Sequence, residues 1–432
     1  MAPIDLPSGT PALPPPRGFL LTAGHFLGTL AAARDLGRHG IPVVLADPEA
    51  GTVTARSRFV TRTLRCPAVS DTGAWLEWML EFGRREPGHV LYPATDHVCW
   101  LLDQHGDALG RYFHLYRPRQ GAIYEVLNKR KLHAHCRALG IDQPALWTAA
   151  QALAAPTDLR YPVLAKPQTQ AGMRVNIKGI VAHDEFELKA ALQQFAFRFG
   201  YRPEMLAYDP GLSEVMVQAF HPEAADHIYS LSGFYAPEHD IYLLRASQKV
   251  LQQPLRIGQG VCFESRPVHA EPARQLRLLM DALGLRGAFE VEFIHLEAQH
   301  RFLLIDFNPR FYGQMGFEIA RHLPVARLCY FAAAGDRERL QQLAASAQDW
   351  DHATPWRFRN GWLLRLFVTS QRLAGNMSGE QRRRWLKWAD SGPYADPLLA
   401  PDDPEPATAS RRQVWFNLLR HPRWQLRMFL RP

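Results

Sequence analysis

Gly287-Ala-Phe-Glu-Val-Glu-Phe-Ile294, followed by Phe302-Leu-Leu-Ile-Asp-Phe-Asn-Pro-Arg310, is the stretch on which the reading of this chain turns. The two apolar runs flank a charged segment, His295–Arg301, and that pattern predicts a β-hairpin. Glu292 and Asp306 stand fourteen residues apart, and Asn308 lies two beyond the second. Side chains alternate across a strand, so Asp306 and Asn308 share one face, and Glu292 takes one face of its neighbour. A register that sets those faces together converges three hard oxygen ligands. That donor set suits Mg2+ held between carboxylates and nucleotide phosphates. Arg310 then lies close enough to bind a phosphate or a developing anion. The same spacing also suits a surface hairpin with its polar residues on the wet side.

Upstream, Tyr161-Pro-Val-Leu-Ala-Lys-Pro167 predicts a short strand that delivers Lys166 from a rigid element. Asn128–Leu139 reads as a helix with Lys129 in its first turn, Leu132, Cys136 and Leu139 on one face, and Gly140 as its C-terminal cap. Either ammonium suits a triphosphate, and either taken alone also suits a solvated lysine. Val175–Val181 is expected to pair with the Lys166 strand, and Asp184 with Glu187 has capping-box spacing for a helix through Phe199. Gln168–Gly179 would form a flap over phosphates, although only Gly172 and Gly179 loosen it. Glu214–Phe220 is a further strand. Nearer the N-terminus, the run Gly18–Thr22, a helical pattern stopped by Gly37–Gly40, and the run Ile41–Ala46 ending at Asp47 make a βαβ unit and a parallel sheet. Val90–Pro93 reads as a later strand of it. Asp96 follows at the carboxyl end where α/β ligands bind, either as a substrate contact or as a loop cap.

Taken in order, these segments resemble the ATP-grasp superfamily over residues 18–335. Leu127-Asn-Lys-Arg-Lys-Leu-His133 through Ile141 is similar to its opening "NK…GI" helix, and Tyr161–Pro167 to its "P-hydrophobic-K-P" strand. Val215–Phe220 resembles the strand that holds adenine, and Glu292…Asp306-Phe-Asn-Pro-Arg310 resembles the "EF…E-x-N-P-R" metal signature. Pro254–Gly260 is similar to a segment of the carboxylate–amine ligase branch, which includes D-aspartate-ligase-like members. The resemblance implies an α/β fold in four parts. They are a Pro-rich leader (1–17), a pre-ATP-grasp parallel-sheet domain (18–125), a two-lobed ATP-grasp domain (126–335, lid about 145–215) and a helical, basic C-terminal extension (336–432).

By position, the resemblance puts Lys129 and Lys166 on ATP phosphates and Gln218, Ala219 and Phe220 at the base, mostly through backbone groups. Glu292, Asp306 and Asn308 would hold one or two Mg2+ ions, with Mn2+ as a substitute, and Arg310 would steady an acyl phosphate. Asp306 stands where Glu is usual, Gln218 replaces the common hinge Glu, and the flap is glycine-poor. Arg245, Lys249 and Arg256, on or just beyond the strand-like run Ile241–Arg245, are candidates for an anionic substrate or else an exposed basic loop.

Composition sets the outer bounds. The chain has 432 residues, 47% of them hydrophobic and 21% charged, with 30 Gly and 33 Pro, which excludes collagen-like, coiled-coil and mainly disordered readings. Its length suits two or three domains. Five scattered cysteines without CxxC spacing suggest neither a disulfide framework nor a cysteine zinc site. The His133/His135 pair does not share a helix face, Gly24–Gly28 lacks the GxGxxG spacing of a dinucleotide site, and no GxSxG is present. The Pro-rich start has no signal-peptide pattern and no run is long enough to span a membrane, so a cytoplasmic protein is expected.

The net charge of +8 is concentrated at one end: residues 355–432 hold 14 Lys and Arg against 6 Asp and Glu. Trp356–Arg359, Arg382–Trp388 and Arg411–Arg431 interleave aromatics with arginine. That pattern suits an amphipathic surface for an anionic membrane or a segment packed on its own body, with no nucleic-acid fold motif beside it.

The expected activity is ATP-dependent amide formation between a small-molecule carboxylate and an amine, through an acyl phosphate, with release of ADP and phosphate. A lipid-related substrate, peripheral attachment at the inner face of a membrane and homo-oligomerisation are compatible with it. The competing readings are a nucleotide-binding regulator whose catalysis has lapsed and an adaptor acting on membrane or nucleic acid through the basic tail.

Overall fold

The computed structural model describes residues 13–154, 156–175, 177–198, 200–253, 258–350 and 354–420. Arg256, most of Pro254–Gly260 and the last twelve residues of the basic tail lie outside them. Three sheets organise the chain. The first is five-stranded and parallel, ordered β3-β2-β1-β4-β5, and built from β1 (Gly18–Thr22), β2 (Val43–Asp47), β3 (Arg62–Arg65), β4 (His89–Leu91) and β5 (Phe113–His114). β1 and β2 are buried at every position, which is why they read as unbroken apolar runs rather than alternating ones. The helix Leu27–Arg38 crosses between them.

Gly24, before that helix, and Gly28, in its first turn, serve packing. A Cβ on Gly24 would meet Thr52 Oγ1 at 2.3 Å, and one on Gly28 would meet the Tyr312 carbonyl oxygen at 2.4 Å. Close approach to Tyr312 ties the first domain to the loop that follows the hairpin signature.

The second sheet is small and antiparallel, ordered β6-β9-β7-β8, from β6 (Leu146–Thr148), β7 (Val163–Lys166), β8 (Ile180–Ala182) and β9 (Met216–Ala219). Of the segment expected to pair with the Lys166 strand, only its end does so, as Ile180 and Val181 in β8. Asp184 accepts from Glu187 N at 2.8 Å and starts the helix Glu185–Arg198. Glu187 turns back to His183 N, one residue earlier than a capping box requires.

The third sheet has seven strands, ordered β14-β13-β10-β11-β12-β15-β16. They are β10 (Ile228–Ala236), β11 (Ile241–Gln253), β12 (Gln259–Arg266), β13 (Gly287–Leu296), β14 (Arg301–Asn308), β15 (Arg357–Arg359) and β16 (Tyr394–Ala395). The largest core cluster lies where the first sheet, β10, β11 and the helix Val325–Ala334 meet, with Phe19, Phe234, Phe311 and Leu328 fully enclosed.

The C-terminal region is not purely helical. β15 and β16 extend the third sheet, and the run Trp356–Arg359 is strand alternation. Phe358 turns inward against Phe263 and Phe317, while Arg359 covers the Tyr394 ring at 3.9 Å and donates to Ala389 O at 2.6 Å. Farther on, Asp403 is fully buried and pairs with Arg34 Nε at 2.9 Å. Arg34 also donates to the carbonyls of Pro397, Leu398 and Asp403, and Asp403 accepts from Ser57 Oγ and Arg58 N. The basic region is thereby locked to the first domain. Breaking a buried pair from one side strands the other charge. Asp403→Ala is therefore expected to cost about 3–5 kcal/mol in chemical denaturation, and to speed hydrogen exchange in residues 396–417 before the first sheet opens.

Candidate active site

In the β13–β14 ladder Glu292 stands directly opposite Asp306, and Glu290 opposite Asn308, with a bulge just after Glu292. The register that converges the acidic faces is the one present. Each carboxylate meets a lysine from another element. Lys129 Nζ lies 2.5 Å from Asp306 Oδ1, and Lys249 Nζ, from β11, lies 2.6 Å from Glu292 Oε1. Lys129 is held at the start of its helix, where Asn128 caps the amides of Arg130 and Lys131 and Lys129 N itself donates to Gln168 O at 2.7 Å. These lysines reach in from separate parts of the chain.

Lys166 ends β7 only 6% exposed. Burial, reinforced by the neighbouring Lys129 ammonium, lowers its pKa to about 7. Asp306 moves the opposite way. Burial opposes ionisation, but Lys129, Lys178 and Lys166 together hold its carboxyl well below the usual range. Lys249 keeps its proton because Glu292, Glu290 and Asp306 outweigh its desolvation. The site alternates buried positive and negative groups, which makes it costly for either sign alone and hospitable to a polyanion accompanied by a cation.

Glu290 was not among the residues singled out from the sequence, yet it belongs here. It accepts from Asn308 Nδ2 at 2.6 Å and from Gln314 Nε2 at 2.9 Å, and burial with the adjacent Glu292 charge raises its pKa to about 7. The signal was available, since a residue two before Glu292 shares its strand face. Asn308 Oδ1 accepts from Arg310 at 2.8 Å, and Arg310 also pairs with Asp96 and places its guanidinium carbon 5.9 Å from the centre of the Phe26 ring. Asp96, open between two roles in the sequence, thus orients Arg310 from the first turn of the helix Asp96–Leu109 that follows β4, where Thr95 is the cap.

Arg245 is corrected by its surroundings. It is 2% exposed and donates to the carbonyls of Arg321, Leu244 and Ala347, so it braces the back of β11 rather than offering itself to an anionic substrate. The expected exposed basic loop is equally absent there, because the run alternates and Arg245 faces inward. Arg256 lies outside the described residues.

All the remaining candidates border one cavity of about 710 Å³, with Leu164, Gln218, Ala219 and Phe220 on the wall from the second sheet. Ala219 N is already committed to Ala145 O at 2.9 Å, which removes one of the backbone groups expected to meet a base. Lys178 joins the lining from the segment expected as a flap. Phe358, Leu363, Leu398 and Val414 close another wall from the C-terminal region, a contribution no local motif announces.

Among the described residues, no three acidic, histidine or cysteine side chains converge as a ready-made metal cage. Glu292, Asp306 and Asn308 nevertheless offer hard oxygens from facing strand positions. That set suits Mg2+, which takes one or two carboxylates and completes its shell with phosphate oxygens and water.

No family model matches the chain, and no curated protein does. Solved structures do. The L-amino acid ligase from Bacillus licheniformis is 14% identical, with 75% of each chain covered and a TM-score of 0.57. The biotin carboxylase domain of the Hydrogenobacter thermophilus 2-oxoglutarate carboxylase, in complex with MgADP and bicarbonate, is 13% identical over 79% of this chain and 74% of that one, at a TM-score of 0.62. The N5-carboxyaminoimidazole synthetase from Staphylococcus aureus is 13% identical over 74% and 78%, at 0.54. These likenesses establish a shared fold, the one implied by the order of the sequence motifs.

The depressed Lys166 pKa gives a stability prediction for the ligand-free protein. Between about pH 7 and the ordinary lysine value, Lys166 binds a proton in the unfolded chain that it does not bind in the folded one, so its own contribution to stability rises with pH there. Lys166→Met removes the buried amine. The variant is expected to melt higher than wild type at pH 6, and its advantage to shrink from pH 7 to 9 by up to about 1.4 kcal/mol per unit. Calorimetric scans across that range decide it; a constant difference refutes the assignment.

Proposed function

We propose, from the ATP-grasp fold of this chain, that it is an ATP-dependent carboxylate–amine ligase releasing ADP and phosphate. The observation that carries the reading is the facing pair Glu292 and Asp306, ringed by Lys129, Lys166, Lys249 and Arg310 in a single cavity. A nucleoside triphosphate would lie with its base against Gln218–Phe220 and its phosphates among the lysines. Glu292, Asp306 and Asn308 would hold Mg2+, which, when bound, draws charge from the phosphate oxygens.

The chemistry then balances in two transfers. A carboxylate oxygen attacks the γ-phosphorus in line, the bond to the β-bridging oxygen breaks, and ADP leaves. The amine nitrogen attacks the acyl carbon, phosphate departs with the former carboxylate oxygen, and the nitrogen gives up a proton to the medium. Lys166 and Lys129 neutralise the charge on the phosphoryl oxygens. Arg310, fixed by Asp96 and Asn308, steadies the mixed anhydride, and positioning with exclusion of water supplies most of the acceleration.

Magnesium-dependent ADP release, raised by an acid together with an amine, tests the reading. Glu292→Ala and Lys166→Ala are each expected to lower it at least 100-fold. Unchanged turnover in both removes the site assignment, and tight ADP binding without turnover on any acid–amine pair points instead to a lapsed, nucleotide-sensing protein.

A second feature supports peripheral attachment to an anionic membrane, with the body on the cytoplasmic side. On the helix Glu405–Arg420, Trp415 is 60% and Leu419 82% exposed, beside Phe416 and the basic Arg411, Arg412 and Arg420. Aromatic and aliphatic side chains flanked by arginine suit the headgroup boundary. No described helix is long and apolar enough to cross a membrane. Co-sedimentation with phosphatidylserine vesicles should fall at least fivefold in the double variant Trp415→Glu, Leu419→Glu, without change in ADP affinity; equal binding by variant and wild type removes the membrane role. Deleting everything after residue 354 is a poor test, because it also removes β15 and β16.

A further inference from the structure

We infer that the outer part of the cavity is an apolar subsite, and that one of the two substrates carries a bulky apolar group seated in it. The inference rests on the ligase reading only in treating the ligand as a substrate. The cavity's charged lining is confined to the lysines, carboxylates and Arg310 already described. The C-terminal region, with eleven Arg and Lys between residues 355 and 420, contributes none of them to it. Its share of the wall is Phe358, Leu363, Phe367, Pro397, Leu398 and Val414, with Asn360 and Ser410 as the neutral polar members. A segment this basic that turns every charge away from a cavity has been shaped around something uncharged.

The adjoining wall is largely of the same kind, with His25 its one ionisable member. Phe26, Leu27 and Val53 are half-buried there, and Leu27 and Val53 pack against the Leu398 cluster, so the apolar surface is continuous. The apolar surface begins at the reacting end of the site, because Phe26 is the ring that lies beside the Arg310 guanidinium. It is also contributed by elements other than the second sheet, whose Gln218–Phe220 wall serves the base. A group extending from an acyl centre near Arg310 toward Phe26 would therefore meet aliphatic and aromatic side chains.

The wall is a built one. Leu398 packs with Leu30 and Ala407, Phe367 with Leu251 and Cys262, and Phe358 with Phe263 and Phe317, so each has a core cluster behind it. The Arg34–Asp403 pair fixes the segment that carries Leu398. Half-buried Leu363 and Val414, standing on two different helices, supply the part of the surface left open to a ligand. Such a pocket gains by covering alkyl or aryl surface and loses by desolvating a free charge.

Calorimetry on the full chain with ADP and Mg2+ present reads the subsite directly. The probes are acetate, octanoate and 3-phenylpropionate for the acid, and methylamine and phenethylamine for the amine. In at least one series the apolar probe is expected to bind tenfold or more tighter than its small counterpart. Val414→Arg and Leu363→Asn should cut that advantage below threefold with ADP affinity unchanged. If Val414→Arg loses ADP binding as well, Leu363→Asn decides. Equal affinity within both series, or an advantage that Leu363→Asn leaves intact, overturns the subsite. An apolar preference without ADP release from any acid–amine pair overturns the ligase reading and leaves the subsite standing. ADP release driven as well by acetate and methylamine as by the apolar probes does the reverse.

Discussion

Two carboxylates facing each other across a hairpin are the constraint around which this molecule is arranged. Glu292 and Asp306 occupy paired positions on β13 and β14, largely out of water, where two adjacent carboxylates without partners would be costly. Lys129 from a helix start and Lys249 from β11 answer them, with Lys166 at the end of β7 close enough to share the field. Three elements distant in sequence must therefore meet at one point. The packing of the second sheet against the third is thereby coupled to the electrostatics of the cavity.

The same principle recurs one layer out. Arg310 is oriented by Asp96 from the first domain, and Arg34 of that domain is neutralised by Asp403 near the far end of the chain. Each pair joins segments hundreds of residues apart, and each borders the cavity or the segment that walls it. Elements around the first sheet thus hold the Arg310 guanidinium at the cavity and fix the C-terminal region that walls it. The basic region is structural as much as superficial: two of its strands complete the third sheet, while its last helix shows one side to the cavity and the other to solvent.

Much of this was legible in order and spacing. The hairpin, the Lys166 strand, the capped Lys129 helix and the βαβ start all lie where periodicity and capping residues put them, because each depends on contacts within one or two elements. Arg245 shows where local reading fails. A basic residue in an alternating run gives no sign of whether its face meets ligand or core, and here the carbonyls of Arg321 and Ala347, from other elements, claim it together with that of Leu244. Glu290 is legible by the same alternation, since it stands two residues before Glu292 on one strand face. The interleaved Trp and Arg of residues 356–359 are legible only as an amphipathic pattern, since a three-residue strand within a sheet and a membrane-facing segment share that pattern.

The sequence by itself determined the α/β class, the hairpin with its acidic and amide positions, and the placing of Lys129 at a helix start and Lys166 at a strand end, because these follow from residue type and short-range periodicity. The tertiary structure alone decided the register that makes Glu292 face Asp306, the inward turn of Arg245, and the lining of the cavity by an Arg-rich region whose described residues show it no charge. Those outcomes depend on which distant surfaces are brought within a few ångströms of one another. A chain encodes that through the packing of the whole core, and no segment of it carries the information alone.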